Sequence, residues 1–221
     1  MYAAAEQNVA MDLAWPTIIS EAVFEEADQY RDTLINIIER AASRAGVSGQ
    51  TGRLPELTMR PELVGIRKDL PREWWTFVLK SIQAHLAAVR PGLYPIGSKQ
   101  VSELWPNIHR IGEFHAPHFH SFERSVLVGT YYVGVPEVRS ELEACLALMD
   151  PRGRISASAE YNKFHGASEY IVQPVPGKLV LFPPHVVHYV YPHRSTTAVR
   201  YSISFNVSKA ALAGGTGSAD F

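Results

Sequence analysis

The sequence predicts a mainly β protein, a sandwich or jelly roll with N-terminal helices packed on one outer face. Three observations predict it. Two stretches before Gly92 repeat apolar residues at helical spacing. After Gly92 the texture changes to short β-rich stretches separated by Pro and Gly. Hydrophobic residues make up 46% of the 221, enough to bury a sizeable core without disulfides. Barrels of this kind enclose a pocket, and pockets are where ligands belong.

The first helix is expected over Ser20–Arg44, where Val23, Phe24, Ala27, Tyr30, Leu34, Ile35 and Ile38 recur at helical spacing. Acidic residues crowd its first turns, and Arg40 and Arg44 stand in its last, as the helix dipole favours. Gly46–Gly52 reads as a flexible break. A second helix follows Pro71, from Arg72 to about Val89, and Pro91-Gly92 stops it. Its stripe of Trp74, Trp75, Val78, Leu79, Ile82, Leu86 and Val89 is core packing. Strands are expected near Val101–Arg110, Ser125–Val135, Glu143–Met149, Glu169–Pro174, Lys178–Phe182, Val186–Val190 and Ala198–Val207. The polar Asp150–Ala167 stretch reads as a loop, and the small residues from Ala210 onward as a frayed tail. The expected organisation is one structural domain: a helical segment over 1–92 packed on a β core over 93–208, then a flexible tail over 209–221.

Composition narrows the partners. A net charge of −1, with Lys and Arg scattered, gives no field favouring nucleic acid or an anionic membrane. No apolar run approaches the roughly 20 residues needed to cross a bilayer, and the N-terminus has no signal-peptide pattern. Cys145 stands alone, so no disulfide can form within the chain, and its expected role is a small buried hydrophobe. A cytoplasmic protein acting on small molecules is expected. A homo-oligomer stays open, because the amphipathic N-terminal helix could pack on the barrel or on a second copy.

Eight of the nine histidines lie between His109 and His193, and imidazole is the commonest protein ligand for iron, zinc and copper. Three stand out. His118 and His120 fall in Phe114-His-Ala-Pro-His-Phe-His120, and His188 in Phe182-Pro-Pro-His-Val-Val-His188. On one extended strand His118 and His120 would share a face, with Cα atoms roughly 6.5–7 Å apart, and could converge on one ion. His188, flanked by Val186 and Val190, reads as facing inward, either as a ligand or as a hydrogen-bonded core histidine. Arg200, Ser202, Ser204 and Asn206 alternate with Tyr201, Ile203, Phe205 and Val207. A hairpin centred on Arg194 would set Arg200 opposite His188. Arg200 can grip a carboxylate with two parallel hydrogen bonds while Ser202 adds a third; the plainer reading is a polar solvent-facing strand.

In order the chain reads Gly112, His118-x-His120, Tyr131-Tyr132-Val133, Gly177-x-Leu-x-Leu-Phe-Pro, His188, then Arg200-x-Ser202. This pattern resembles the 2-oxoglutarate/Fe(II)-dependent dioxygenase superfamily, and within it a small bacterial and phage branch. The branch pattern also matches Phe114, Gly129, Phe182, Pro183, Pro192, Ser204, Phe205 and Asn206, so the resemblance covers about Trp105 to Val207. It implies a double-stranded β-helix, a cupin-like jelly roll, holding Fe(II) through His118, His120 and His188. It implies that Arg200 with Ser202 binds the distal carboxylate of 2-oxoglutarate, and that Asn107 contacts co-substrate or substrate. The implied activity couples 2-oxoglutarate decarboxylation to oxidation, in the first instance hydroxylation, of a further substrate.

One departure matters. Most of the superfamily carries His-x-Asp or His-x-Glu, whereas the middle position here is His120, so no anionic side chain balances the metal. Glu113 and Glu123 are the nearest carboxylates in sequence, and His115 is a reserve ligand. His109, His185 and His193 read as surface or supporting residues. Phe114, Phe119, Phe122, Tyr131 and Trp105 are expected to supply the apolar wall. Two other functions fit the same residues. One is a three-histidine cupin-like dioxygenase whose substrate itself chelates iron without 2-oxoglutarate. The other is a barrel that binds a metal or a small acid without turning it over.

Overall fold

The computed structural model of the protein describes residues 16–44, 65–89, 96–138, 140–152 and 168–212. Within them run β1 (Ser20–Val23), α1 (Ala27–Arg44), α2 (Arg72–Val89), β2 (Val101–His109), β3 (His115–His118) and β4 (Ser125–Gly134). β5 (Leu146–Met149), β6 (Glu169–Val172), β7 (Lys178–Phe182), β8 (His188–Val190) and β9 (Arg200–Ser208) follow. The strands form two antiparallel sheets, one ordered β1-β7-β4-β9-β2 and the other β3-β8-β5-β6. No helix among the described residues is long and apolar enough to cross a membrane.

The five-stranded sheet is buried on both faces because each face has a cover. Side chains alternate along a strand. On β4, Leu127, Tyr131 and Val133 join Leu34, Ile38, Trp74 and Val78 of the two helices in one core. The intervening Val128 and Tyr132 join Val180, Phe182, Leu146 and Val190 in a second core shared with the other sheet. β9 splits the same way, with Ile203, Phe205 and Val207 under the helices and Ser202, Ser204 and Asn206 turned toward a cavity. The alternation read from the sequence of this strand is therefore the observed one.

Gly129 shows how tightly the helical side is filled. It lies opposite Phe205 in the β4–β9 register, and a Cβ at this position would fall 2.1 Å from Cζ of the buried Phe205 ring. Gly129→Ala is expected to cost about 1–3 kcal/mol through overpacking. It should appear as a lower denaturation midpoint with an unchanged slope.

α2 spans the residues expected, and all seven expected strands are present with their ends shifted by a few residues. Three expectations are corrected. Ser20–Val23 is an edge strand and not the first turn of α1, because it pairs with the free edge of β7 and its Glu21 carboxylate meets the Lys178 ammonium at 2.9 Å. The strand expected from Glu143 starts only at Leu146, because Ala144 adopts φ 60° in the preceding turn. Lys209–Leu212 forms a 3-10 turn where the frayed tail was expected to begin. The expected break at Gly46–Gly52 and most of the Asp150–Ala167 loop lie outside the described residues. Cys145 is fully buried, as expected, and burial pushes its thiol up to about 11.

Candidate metal and co-substrate site

β3 and β8 pair antiparallel with His118 directly opposite His188, so the backbone ladder itself brings these two imidazoles together. Their ring centroids are 4.3 Å apart. His120 is not on the same strand as His118, contrary to the expectation, since β3 ends at His118. Its place is set by the turn that follows, where its backbone N–H donates to the Pro184 carbonyl at 2.9 Å. Its ring nevertheless reaches the other two, at 5.5 Å from His118 and 5.1 Å from His188. One candidate ligand atom from each ring lies within 4.8 Å of the others. Small ring movements would seat one ion at about 2.0–2.1 Å from all three. The cluster is graded from exposed His118 to buried His188, which leaves a path for a metal to enter.

Hydrogen bonds set the free nitrogen of two of these rings. His118 Nδ1 faces the Ala116 carbonyl at 2.8 Å, and His188 Nδ1 faces the Val186 carbonyl at 2.9 Å. A carbonyl only accepts, so each Nδ1 carries the proton and each Nε2 keeps its lone pair. Burial, reinforced by neighbouring His118, holds His188 neutral, with its pKa lowered to about 3. Burial likewise lowers His120. His115 lines the same cavity and is pushed down to about 3, first by burial and then by Arg200.

These shifts predict how stability changes with pH. His115 and His188 are neutral in both the folded and unfolded states above the ordinary value of 6.5. As the pH falls below it, the unfolded chain takes up protons that the folded one refuses, so stability declines toward pH 3. The thermal midpoint of metal-free protein should fall between about pH 7 and 5, and His115→Gln should flatten that fall. A level midpoint across this window in the wild type would contradict the assignment.

The second half of the site is built around Arg200. It opens β9 opposite His109 and is 1% exposed. Its Nε donates to the Ala144 carbonyl at 3.1 Å, which the φ 60° turn presents, and its Nη1 donates to His109 Nδ1 and Ser202 Oγ, each at 3.1 Å. Nη2 is buried and makes no hydrogen bond of normal geometry. Ser202 Oγ accepts from Arg200 and, at 3.4 Å, from Asn107 Nδ2, so its own proton is left to donate. The Tyr132 hydroxyl is also buried and interacts with Arg200, without a hydrogen bond of normal geometry, on a ring whose centroid is 5.0 Å from the Arg200 guanidinium carbon. Buried donors left without a good hydrogen bond cost about 1–3 kcal/mol each. Three donors from Arg200, Ser202 and Tyr132 suit a carboxylate, and among the described residues no carboxylate pairs with Arg200. Asn107 is held in the same wall, 2.9 Å from Ser204 Oγ.

The two halves meet differently from the hairpin expected. β8 lies in the four-stranded sheet and β9 in the five-stranded sheet, so residues 191–199 cross between sheets and His188 and Arg200 are not strand neighbours. They share a cavity of about 730 Å³, lined also by Val128, Leu146 and Val190. Trp105 and Phe119 contribute to its wall, and Trp105 stacks on His120 at 5.7 Å. The other aromatics expected there do not: Phe114 and Phe122 are exposed, and Tyr131 packs under the helices against Trp74. Glu113 accepts from the Arg110 backbone N–H and Glu123 is exposed, so among the described residues no carboxylate joins the three histidines. His185 is exposed as expected, whereas His109 and His193 are buried. A supporting role was among the readings for His109, and its partner proves to be Arg200. The only signal for that partner is the β2–β9 register, which sequence spacing does not contain.

Within two packed antiparallel sheets, the metal-competent histidine cluster, Arg200 and Ser202 line one cavity, an arrangement that suits a non-haem metal oxygenase. Comparison with known proteins agrees. A family model described as "Putative 2OG-Fe(II) oxygenase" matches residues 103–206. The match takes in all three histidines, Arg200 and Ser202, and it supports an oxidoreductase of the 2-oxoglutarate/Fe(II)-dependent dioxygenase superfamily, with Fe(II) and 2-oxoglutarate as the cofactors this implies. Solved structures similar in fold include a prolyl-4-hydroxylase from Pseudomonas putida, with 18% identity, 86% of each chain covered and a TM-score of 0.52. AviO1 from Streptomyces viridochromogenes Tue57 is 13% identical over 88% of this chain and 90% of its own, with a TM-score of 0.52. SnoK, a non-heme alpha ketoglutarate dependent carbocyclase from nogalamycin biosynthesis, is 12% identical over 87% and 79%, with a TM-score of 0.54. A search of the curated proteins finds no match to the chain.

Proposed function

We propose that this protein hydroxylates a C–H bond of a substrate small enough, or presented narrowly enough, to enter the 730 Å³ cavity beside 2-oxoglutarate. His118, His120 and His188 hold the iron. Arg200 Nη2, the Ser202 hydroxyl and the Tyr132 hydroxyl take the distal carboxylate, and Asn107 keeps Ser202 and Ser204 in place. The two sheets are read as the halves of a double-stranded β-helix, with the N-terminal helices and β core acting as one domain. When bound, Fe(II) would activate O₂, which is the oxidant: 2-oxoglutarate would give two electrons and leave as succinate and CO₂ with one oxygen atom, and the other oxygen atom would enter the substrate C–H bond. The residues of the chain contribute neutral ligands, a fixed carboxylate anchor, and apolar walls of Val128, Leu146 and Val190 that limit water. A lone cysteine fits a reducing, cytoplasmic setting.

The observation that carries this reading is that Arg200, whose buried Nη2 makes no hydrogen bond of normal geometry, lines the same cavity as the histidines. The test compares anaerobic spectra of the Fe(II)-loaded protein with and without 2-oxoglutarate, then O₂ uptake under both conditions. A spectral change with 2-oxoglutarate and uptake that depends on it are expected. Iron binding with neither effect rejects the co-substrate role and favours a substrate-chelating three-histidine oxygenase.

A further inference from the structure

A histidine in the middle ligand position raises a physical problem that a carboxylate does not. A carboxylate offers lone pairs on both oxygens. An imidazole offers one, on whichever nitrogen lacks the proton, and can be presented to the metal in the wrong tautomer. His118 and His188 are set by backbone carbonyls. His120 has no such carbonyl; its Nδ1 faces the side chain of Asn206 at 2.8 Å.

The β2–β9 register puts Glu103 directly opposite Asn206, and the Asn206 Nδ2 amide donates to Glu103 Oε2 at 2.5 Å. An ionised carboxylate only accepts, so the amide must turn its NH₂ toward Glu103 and its carbonyl oxygen toward His120. That oxygen also only accepts, so His120 Nδ1 must carry the proton and Nε2 the lone pair. Asn206 is 5% exposed, which makes a reversed amide, with its donors unmatched, costly. Trp105, stacked on His120 at 20° between ring planes, holds the ring from its face.

We infer that Glu103, acting through Asn206, is the positioning pair that lets His120 serve where most of the superfamily has a carboxylate. The pair fixes the tautomer and orientation of the ring. It also sets a negative charge two hydrogen bonds from a ligand set that is otherwise neutral. Outer partners of a metal-bound histidine commonly change affinity about ten- to hundredfold. This inference rests on the triad reading above, and the experiment separates the two.

The test has a metal-free arm and a metal arm. In the metal-free wild type, ¹⁵N-edited NMR of the histidine rings should find His120 protonated on Nδ1; Asn206→Leu should shift it toward the Nε2–H form. In the metal arm, Co(II) replaces Fe(II) in competition titrations. Asn206→Leu and Glu103→Gln should each weaken Co(II) binding about ten- to hundredfold. Glu103 is exposed, so Glu103→Gln should keep the wild-type thermal midpoint and serves even where Asn206→Leu does not fold. An Nε2–H tautomer in the wild type overturns the inference. So does wild-type Co(II) affinity in the Glu103→Gln variant while His188→Ala loses the metal. Wild-type Co(II) affinity in His188→Ala overturns instead the triad on which the inference rests.

Discussion

His188→Ala is expected to abolish stoichiometric Fe(II) binding, weakening it by more than about a hundredfold, since loss of an outer partner alone costs ten- to hundredfold. The reason is geometric. His188 is the buried member of the cluster, with the Phe182 ring at 4.8 Å and the Val186 carbonyl on its Nδ1, so its free nitrogen has little freedom to wander. It also faces both other rings, and its removal leaves two histidines, one of them exposed. The β8 backbone ladder to β3 and β5 does not depend on the ring, so the variant should fold. Anaerobic iron titration followed by metal analysis measures the effect. A variant that still holds one equivalent of iron would contradict the ligand role.

Arg200→Lys is expected to raise KM for 2-oxoglutarate about ten- to hundredfold while leaving Fe(II) affinity unchanged. The substitution keeps the positive charge and removes the planar fork. One ammonium cannot hold the Ala144 carbonyl, Ser202 and an incoming carboxylate together, as the guanidinium geometry allows. Loss of a single charge-assisted hydrogen bond is worth about 1.5–3 kcal/mol, and about 1.4 kcal/mol is tenfold. The metal should be unaffected, because Arg200 belongs to the five-stranded sheet while His118 and His188 belong to the other. Arg200→Ala should weaken the co-substrate further, but it also empties a fully buried site, so the lysine variant is the cleaner measurement. Steady-state 2-oxoglutarate consumption at saturating iron checks it; wild-type KM in the lysine variant would reject the carboxylate anchor.

Sequence spacing served well wherever the physics is local. Helical periodicity located α2, and two-residue alternation on β9 separated Arg200, Ser202, Ser204 and Asn206 from Ile203, Phe205 and Val207. It failed where a choice of partner overrode local pattern. Ser20–Val23 carries helix-compatible residues but meets an open strand edge, and backbone pairing there decides its form. The His188–Arg200 hairpin was a plausible local closure, but the intervening residues instead carry the chain from one sheet to the other.

The amino-acid sequence by itself determined the mainly β character, the residues from which a metal and carboxylate site could be made, and the anomaly at His120. Side-chain chemistry and strand alternation are properties of short segments, and they can be read without knowing what lies opposite. Only the tertiary structure decided that His118 meets His188 across a ladder, that His109 and Ala144 hold Arg200, and that Glu103 reaches His120 through Asn206. Those contacts join residues up to about a hundred positions apart. They exist because burying both faces of one sheet forces a particular order of strands, and that order is a property of the whole chain.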